Sequence, residues 1–309
     1  MQNDICVFVI YIYSKNMNKK PFHGGEGVLK MEKKTIIIVG LGVIGGSIAK
    51  VLSAFTSYRV LGMDTDPEVV DEAVACGAIE RRGYEEDLSQ ADVLWLCLYP
   101  QAAVDFARKY GAALKPKCIV TDACGIKNAV CPQLKALSQE LGFVFVGGHP
   151  MAGKERNGFA VSEATLFRGA SYLLVPCGAP KWAESFMEKL ALQIGFGQVV
   201  KTTPAHHDEM IAYTSQLPHA LACAYVLSPR CPGHKGYSAG SYRDVSRVAR
   251  INETLWTELF LENREALSRE LSTLMENLSA IQTALDAEDE NALRSLLRKG
   301  REVKESLGE

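Results

Sequence analysis

Thr35-Ile36-Ile37-Ile38-Val39-Gly40-Leu41-Gly42-Val43-Ile44-Gly45 is the stretch on which the fold turns. Its first five residues are all β-branched, as in a parallel strand buried on both faces. The run passes directly into Gly-x-Gly-x-x-Gly, then Gly46, Ser47 and an apolar helical stretch to Phe55. The first glycine permits a tight turn, and the second lets the backbone approach a pyrophosphate. The third lets the helix pack close to the strand, with its N-terminal N–H groups aimed at phosphate. Such a loop alone is a weak signal, because glycine turns are common. Here a second strand, Tyr58 to Met63, ends at Asp64, nineteen residues beyond Gly45. A carboxylate there accepts hydrogen bonds from ribose hydroxyls. A structural turn with a surface aspartate is the weaker alternative. Gly40, Gly42, Val43, Ile44, Gly45 and Asp64 are therefore the candidate cofactor-binding residues. Asp64 favours NAD over NADP, since it would repel a 2′-phosphate, although Arg59 lies nearby.

The alternation continues away from this motif. Helix 67–76, strand 92–98, helix 101–114, strand 118–121, helix 128–141 and strand 143–146 predict a doubly wound α/β sheet of the Rossmann type. Two further strands, 171–175 and 198–201, flank a helix over 181–194, and the sheet is expected to end near Thr203. Ligands of such sheets sit beyond the carboxyl ends of the strands. That places Tyr99-Pro100, Asp122 to Lys127 and Gly147 to Gly153 at the site, with Tyr99 and Asp122 on the cofactor side.

Residues 31–203 thus form a dinucleotide-binding domain, and 204–309 an all-helical substrate and dimerisation domain. Leu267, Leu271, Leu274, Leu278, Ile281 and Leu285 recur at spacings of 4, 3, 4, 3, 4, an a/d seam. Intrachain packing and a homodimer interface both fit it; the length of the seam favours the homodimer.

Residues 1–30 have a different character. Ile5 to Tyr13 is apolar but too short to span a bilayer, and no basic segment precedes it. This segment is expected to be a non-native or disordered extension, with Met31 as the natural start. The formal net charge of −2 argues against a nucleic-acid surface or a basic membrane patch. Nine cysteines without a C-x-x-C pair point to reduced thiols and a cytoplasmic protein.

Three segments carry a resemblance. They are Gly147-Gly148-His149-Pro150-Met151-Ala152-Gly153, His207-Asp208 through Ser215-Gln216-Leu217-Pro218-His219, and Tyr242-Arg243-Asp244-Val245-Ser246-Arg247-Val248-Ala249 with Trp256 beyond. Together and in this order they resemble the prephenate/arogenate dehydrogenase family, over about residues 34 to 300. The resemblance implies NAD-dependent oxidative decarboxylation of prephenate to 4-hydroxyphenylpyruvate in tyrosine biosynthesis, with arogenate as the nearest alternative substrate. A 3-hydroxyacid dehydrogenase or imine reductase is a more distant alternative. Those enzymes commonly use a lysine base and lack this histidine segment. A non-enzymatic NAD-sensing or protein-binding module is a third.

Read as chemistry, His149 is the best base. It follows a buried strand at the carboxyl edge of the sheet, and neutral imidazole suits proton transfer near neutral pH. A histidine bonding its own turn is the bland account; the match to the family's catalytic histidine favours catalysis. Arg247 is the best carboxylate clamp, because guanidinium pairs bidentately, and the resemblance gives the matching arginine to substrate. Arg243 and Arg250 read as a solvated or ion-paired face. The resemblance further implies that His219 is a second active-site histidine, that Ser215 and Gln216 are substrate contacts, and that Trp256 reaches toward the neighbouring subunit's site. Two departures stand out. Where many relatives read Asp-x-Gly-Ser-x-Lys, this chain has Asp122-Ala123-Cys124-Gly125-Ile126-Lys127, so a serine hydroxyl is missing and Cys124 or a water stands in. Gln216 occupies a position where many relatives carry histidine. Lys127 reaches phosphate or a catalytic water, or is a surface lysine. His206, His207 and Asp208 could suggest a metal, but no further ligands follow at useful spacing, so none is expected.

Overall fold

The computed structural model describes residues 33–154 and 156–308. The extension at 1–30 and the start at Met31 lie outside the described residues. Eight strands form one sheet: β1 (Thr35–Val39), β2 (Arg59–Met63), β3 (Arg81–Arg82), β4 (Val93–Leu96), β5 (Ile119–Asp122), β6 (Val144–Pro150), β7 (Ser171–Val175) and β8 (Gln198–Lys201). Their order is β3-β2-β1-β4-β5-β6-β7-β8. The chain steps from β1 outward to β2 and β3, then returns to β4 on the other side of β1. That reversal opens a crevice at the carboxyl ends of β1 and β4.

Pairing is parallel except between β6 and β7. The antiparallel neighbour changes β6. Gly147 to Pro150 pair with Val175 to Tyr172, so the strand runs four residues past its predicted end. His149 therefore sits on the strand, opposite Leu173, rather than on the loop beyond it. The short β3 was not predicted, being two arginines with no apolar alternation.

Period-two alternation divides β1 between two cores. Ile36 and Ile38 join Ile48, Trp95, Tyr172 and Met187 on one face. Ile37 and Val39 join Leu94, Leu96, Val104, Val120 and Leu134 on the other. Helix α1 (Val43–Phe55) follows the glycine loop, α2 (Pro67–Ala75) follows Asp66, and α3 (Pro100–Tyr110) follows Tyr99. Helix α4 (Cys131–Leu141) starts three residues later than its periodicity suggests, and α5 (Lys181–Gln193) lies where the sequence places it.

Beyond β8 the described residues are helical: α6 (Pro204–Ile211), α7 (Leu217–Val226), α8 (Gly240–Ser246), α9 (Glu253–Glu262), α10 (Arg264–Asp286) and α11 (Glu290–Ser306). Between α6 and α7, residues Ala212–Gln216 form a π-helical turn, closed by Leu217 N–H donating to Ala212 O. Pro218 supplies a reason: it has no N–H to give to the carbonyl four residues back. Wide turns of this kind gather at functional sites, and this one carries Ser215. On α10 the leucine seam runs from buried Leu267 to Leu278 and Leu285, which are 51% and 56% exposed. Among the described residues, no helix is long and apolar enough to cross a membrane.

Candidate active site

Two clefts meet at His149. One, of about 470 Å³, runs from Gly42–Gly45 past Tyr99, Cys124 and Gly125 to His149 and Trp256. The other, of about 400 Å³, runs from His149 to Ser215, His219, Arg247, Arg250 and Trp256. Lys154, Asn157 and Asn252 line both.

The glycine loop has the shape that a pyrophosphate requires. Gly40 has φ +87°, and a Cβ there would lie 2.4 Å from Cys97 O. A Cβ on Gly45 would lie 1.9 Å from Gly40 O, whereas one on Gly42 would meet nothing within 4 Å. The loop is thus closed against its own backbone and open on the ligand side. Helix α1 begins there with no acidic residue in its first turn, so its positive end faces the cleft unopposed by its own side chains. At the end of β2, Asp64 is fixed by accepting from Leu41 N at 2.7 Å and Asp66 N at 3.0 Å. It remains half-buried beside the loop, as a ribose-binding carboxylate needs. Tyr99, 41% exposed, lines the same cleft, and its hydroxyl accepts from Asn252 Nδ2 at 3.1 Å.

The expectation that Asp122 touches the cofactor is corrected. Its carboxylate is fully buried. Oδ2 meets Lys127 Nζ at 2.5 Å and accepts from Cys124 N at 3.0 Å, while Oδ1 accepts from Gly148 N at 3.1 Å. Asp122 therefore ties β5 to β6 underneath the site. Lys127 is likewise fully buried; its ammonium also donates to Cys124 O at 2.8 Å, so it reaches neither phosphate nor solvent. Gln216 is corrected for a similar reason. It is 1% exposed, donates through Nε2 to Leu259 O and accepts from Asn263 Nδ2, and lines neither cleft.

His149 ends a chain of three side chains that runs through His207 to Asp208. Its Nδ1 lies 2.9 Å from His207 Nε2, and His207 Nδ1 lies 2.6 Å from Asp208 Oδ1. Asp208 also accepts from Lys127 N and Asn128 N, both at 2.8 Å. A carboxylate so placed takes a proton bond from His207 Nδ1, which makes His207 Nε2 an acceptor. His149 then donates from Nδ1, and its Nε2 carries the lone pair. Burial pushes the His149 imidazole well below its ordinary pKa, and His207 and Lys127 push the same way. Burial lowers His207 too, against its hydrogen bond to Asp208. His149 is therefore neutral at physiological pH and ready to accept a proton.

Across the cleft, His219 Nδ1 donates to Ser215 O at 2.8 Å. The imidazole stacks on Trp256 with centroids 3.8 Å apart. Trp256, which the resemblance sends toward a neighbouring subunit, lines its own chain's clefts. Arg250, read from sequence as a solvated face, joins Arg247 on the wall of the second cleft; Arg243 does not. The sequence reading missed Lys154, Asn157 and Asn252 on the cleft walls, and the role of His207. The adjacent His207-Asp208 pair was the one available signal.

Cys124 lines the first cleft as a buried thiol whose pKa burial raises far above the ordinary value, and Sγ donates to Leu98 O at 3.7 Å. It is a poor substitute for an alkoxide-binding hydroxyl. Gly125 lines the same wall, and a Cβ on it would make ordinary contact with Leu259 Cδ2 at 3.5 Å. Gly125→Ser is therefore expected to fold normally and to offer the missing hydroxyl. A neutral hydrogen bond contributes about 0.5–1.5 kcal/mol, so the Michaelis constant for the oxidised substrate should fall about two- to tenfold in steady-state assays. An unchanged constant would show that the hydroxyl does not reach the substrate.

A glycine-lined phosphate cradle at a topological switch point, opening onto a neutral, half-buried imidazole and two arginines, defines a dinucleotide-linked dehydrogenase. Residues 48–193 match the family model described as prephenate dehydrogenase, nucleotide-binding domain, and 203–299 match prephenate dehydrogenase, dimerization domain. The chain belongs to the prephenate dehydrogenase family, a family of oxidoreductases. It is 30% identical to cyclohexadienyl dehydrogenase of Zymomonas mobilis, covering 89% of this chain and 96% of that one. Among solved structures it is similar to prephenate dehydrogenase from A. aeolicus in complex with hydroxyphenyl propionate and NAD+, with TM-score 0.79, 26% identity, and coverage of 90% and 99%. It is also similar to Synechocystis arogenate dehydrogenase, with TM-score 0.75, 26% identity, and coverage of 88% and 99%.

Proposed function

We propose that this chain catalyses the NAD-dependent oxidative decarboxylation of prephenate to 4-hydroxyphenylpyruvate. The observation that carries this is the position of His149, where the glycine-loop cleft and the arginine-bearing cleft join. Prephenate carries two carboxylates and a ring hydroxyl on the carbon to be oxidised. Arg247 binds a carboxylate as a planar pair, and Arg250 adds a second cation on the same wall. His149 Nε2 takes the proton from the ring hydroxyl as that carbon is oxidised. NAD, held over Gly42–Gly45 with its ribose on Asp64, supplies the two-electron acceptor when bound. The ring carboxylate then leaves as carbon dioxide and the ring becomes aromatic. His219 and Ser215 contact the substrate opposite His149, and the Trp256 ring closes the cleft against water.

A second copy of the chain covers the exposed end of the leucine seam, making the enzyme a homodimer. Met275, Leu278 and Leu285 are 64%, 51% and 56% exposed on one chain, more apolar surface than a lone helix keeps in water. The lack of a long apolar helix among the described residues and the thiols Cys118, Cys124 and Cys131, left free though buried, are compatible with a cytoplasmic enzyme.

The test is NADH formation by the purified protein with prephenate or arogenate. Prephenate-dependent NADH, with carbon dioxide and 4-hydroxyphenylpyruvate as products, is the expected result. Preference for arogenate, giving tyrosine, would move the assignment to the amino form of the substrate. No NADH from either would remove the proposed reaction.

A further inference from the structure

We propose that His207 is a positioning residue that receives, through His149, the proton removed from the substrate, and that Asp208 neutralises the charge where it comes to rest. This rests on the reading of His149 as the base. In the resting state His149 holds its proton on Nδ1 and His207 holds its own on Nδ1, facing Asp208. The substrate O–H bond breaks and a bond from His149 Nε2 to that proton forms. As it forms, the His149 Nδ1–H bond breaks and a proton bonds to His207 Nε2, 2.9 Å away. His149 ends neutral with its proton on the other nitrogen, and His207 ends as the cation. The proton returns by the same path when His149 Nε2 next meets water.

The charges around the pair favour this resting place. Lys127, buried beneath the site, opposes a cation on either ring. Only His207 has a compensating contact, Asp208 Oδ1 at 2.6 Å, and Asp122 adds attraction from further away. Glu262 lies close enough to feel the charge of Asp208, but burial, Glu258 and Asp208 all push its carboxyl toward the neutral form, so the carboxylate that faces His207 is Asp208. Asp208 is itself fixed by Lys127 N and Asn128 N, and Asn263 Nδ2 donates to its backbone carbonyl at 2.9 Å. A carboxylate anchored this way cannot turn toward the substrate. It can serve the reaction only through His207.

His207→Gln keeps a side-chain acceptor for His149 Nδ1 but cannot take up a proton. NAD binding, substrate KM and thermal stability should stay near wild type, while the single-turnover rate falls about 10- to 100-fold, the usual loss for a partner that orients and tunes a primary group. In mixtures of light and heavy water the wild-type rate should follow a bowed curve, reporting two protons in flight, and the variant a straight line. Nitrogen NMR of the wild-type protein should show His149 protonated on Nδ1 with Nε2 bare, a readout that needs no variant to fold. A straight wild-type curve, a His149 protonated on Nε2, or a smaller rate loss would overturn the relay. The base assignment is judged separately: an inactive His149→Asn alongside a straight wild-type curve removes the relay alone, whereas a fully active His149→Asn removes both.

Discussion

Replacing His149 with asparagine is expected to lower turnover about 10²- to 10⁴-fold, the range that general-base catalysis supplies, while sparing NAD binding and folding. The side-chain amide can still donate to His207 Nε2, as His149 Nδ1 does at 2.9 Å, so the wall of the cleft stays in place. What disappears is the lone pair at Nε2. The cradle at Gly40–Gly45 and Asp64 does not touch this side chain, so titration of NAD by fluorescence should give a near-native dissociation constant. The pH profile offers a second reading of the same group. The base works only when neutral, and neutral imidazole prevails above its pKa. Burial, His207 and Lys127 all move that pKa downward from 6.5. The acidic limb of kcat/KM, which reports the free enzyme, should therefore lie below pH 6.5 and vanish with the residual activity of His149→Asn. Turnover within tenfold of wild type, or an acidic limb above pH 6.5, would remove His149 from the role.

How far the sequence discloses such a site depends on whether the cause is local. The glycine loop is legible because the reason for each glycine lies within a few residues or on the adjacent strand. Gly45 packs on Gly40, and Gly40 on Cys97. The β1 run is legible because both faces of one strand are buried. The extension of β6 is not, because Gly147 and Gly148 have little strand preference of their own and are held by β7, some 25 residues later. The His149–His207 contact joins residues 58 apart, and no spacing rule spans that distance. Gln216 and Asp122 were misassigned for one shared reason. A polar residue at the end of a strand or in a helical turn looks the same in sequence whether it faces a ligand or an interior partner. Gln216 faces Leu259 and Asn263. Asp122 faces a lysine five residues on, and nothing in the motif tells whether that lysine points inward or out.

That last ambiguity yields a test with a large effect on stability instead of catalysis. Lys127→Met preserves the aliphatic stem and removes the ammonium, leaving the Asp122 carboxylate fully buried with neutral partners, among them the N–H groups of Cys124 and Gly148, and no counter-ion against it. Breaking a buried ion pair from one side costs about 3–5 kcal/mol, since an uncompensated charge stays behind in a medium that solvates it poorly. At about 2–4 °C per kcal/mol, the midpoint of thermal unfolding should fall by roughly 10 °C. Replacing both partners, Asp122→Asn with Lys127→Met, removes the charge together with its counter-ion and should recover part of that loss. Were Lys127 a phosphate ligand instead, the single variant would unfold near the wild-type temperature and bind NAD poorly. Were Asp122 a cofactor ligand, the double variant would lose NAD affinity beyond what Lys127→Met loses. The geometry requires the opposite pattern for both. Because Gly148 hangs from Asp122 and His149 follows it on the same strand, any change in turnover should track the loss of fold, with Kd for NAD measured well below the unfolding midpoint left nearly unchanged.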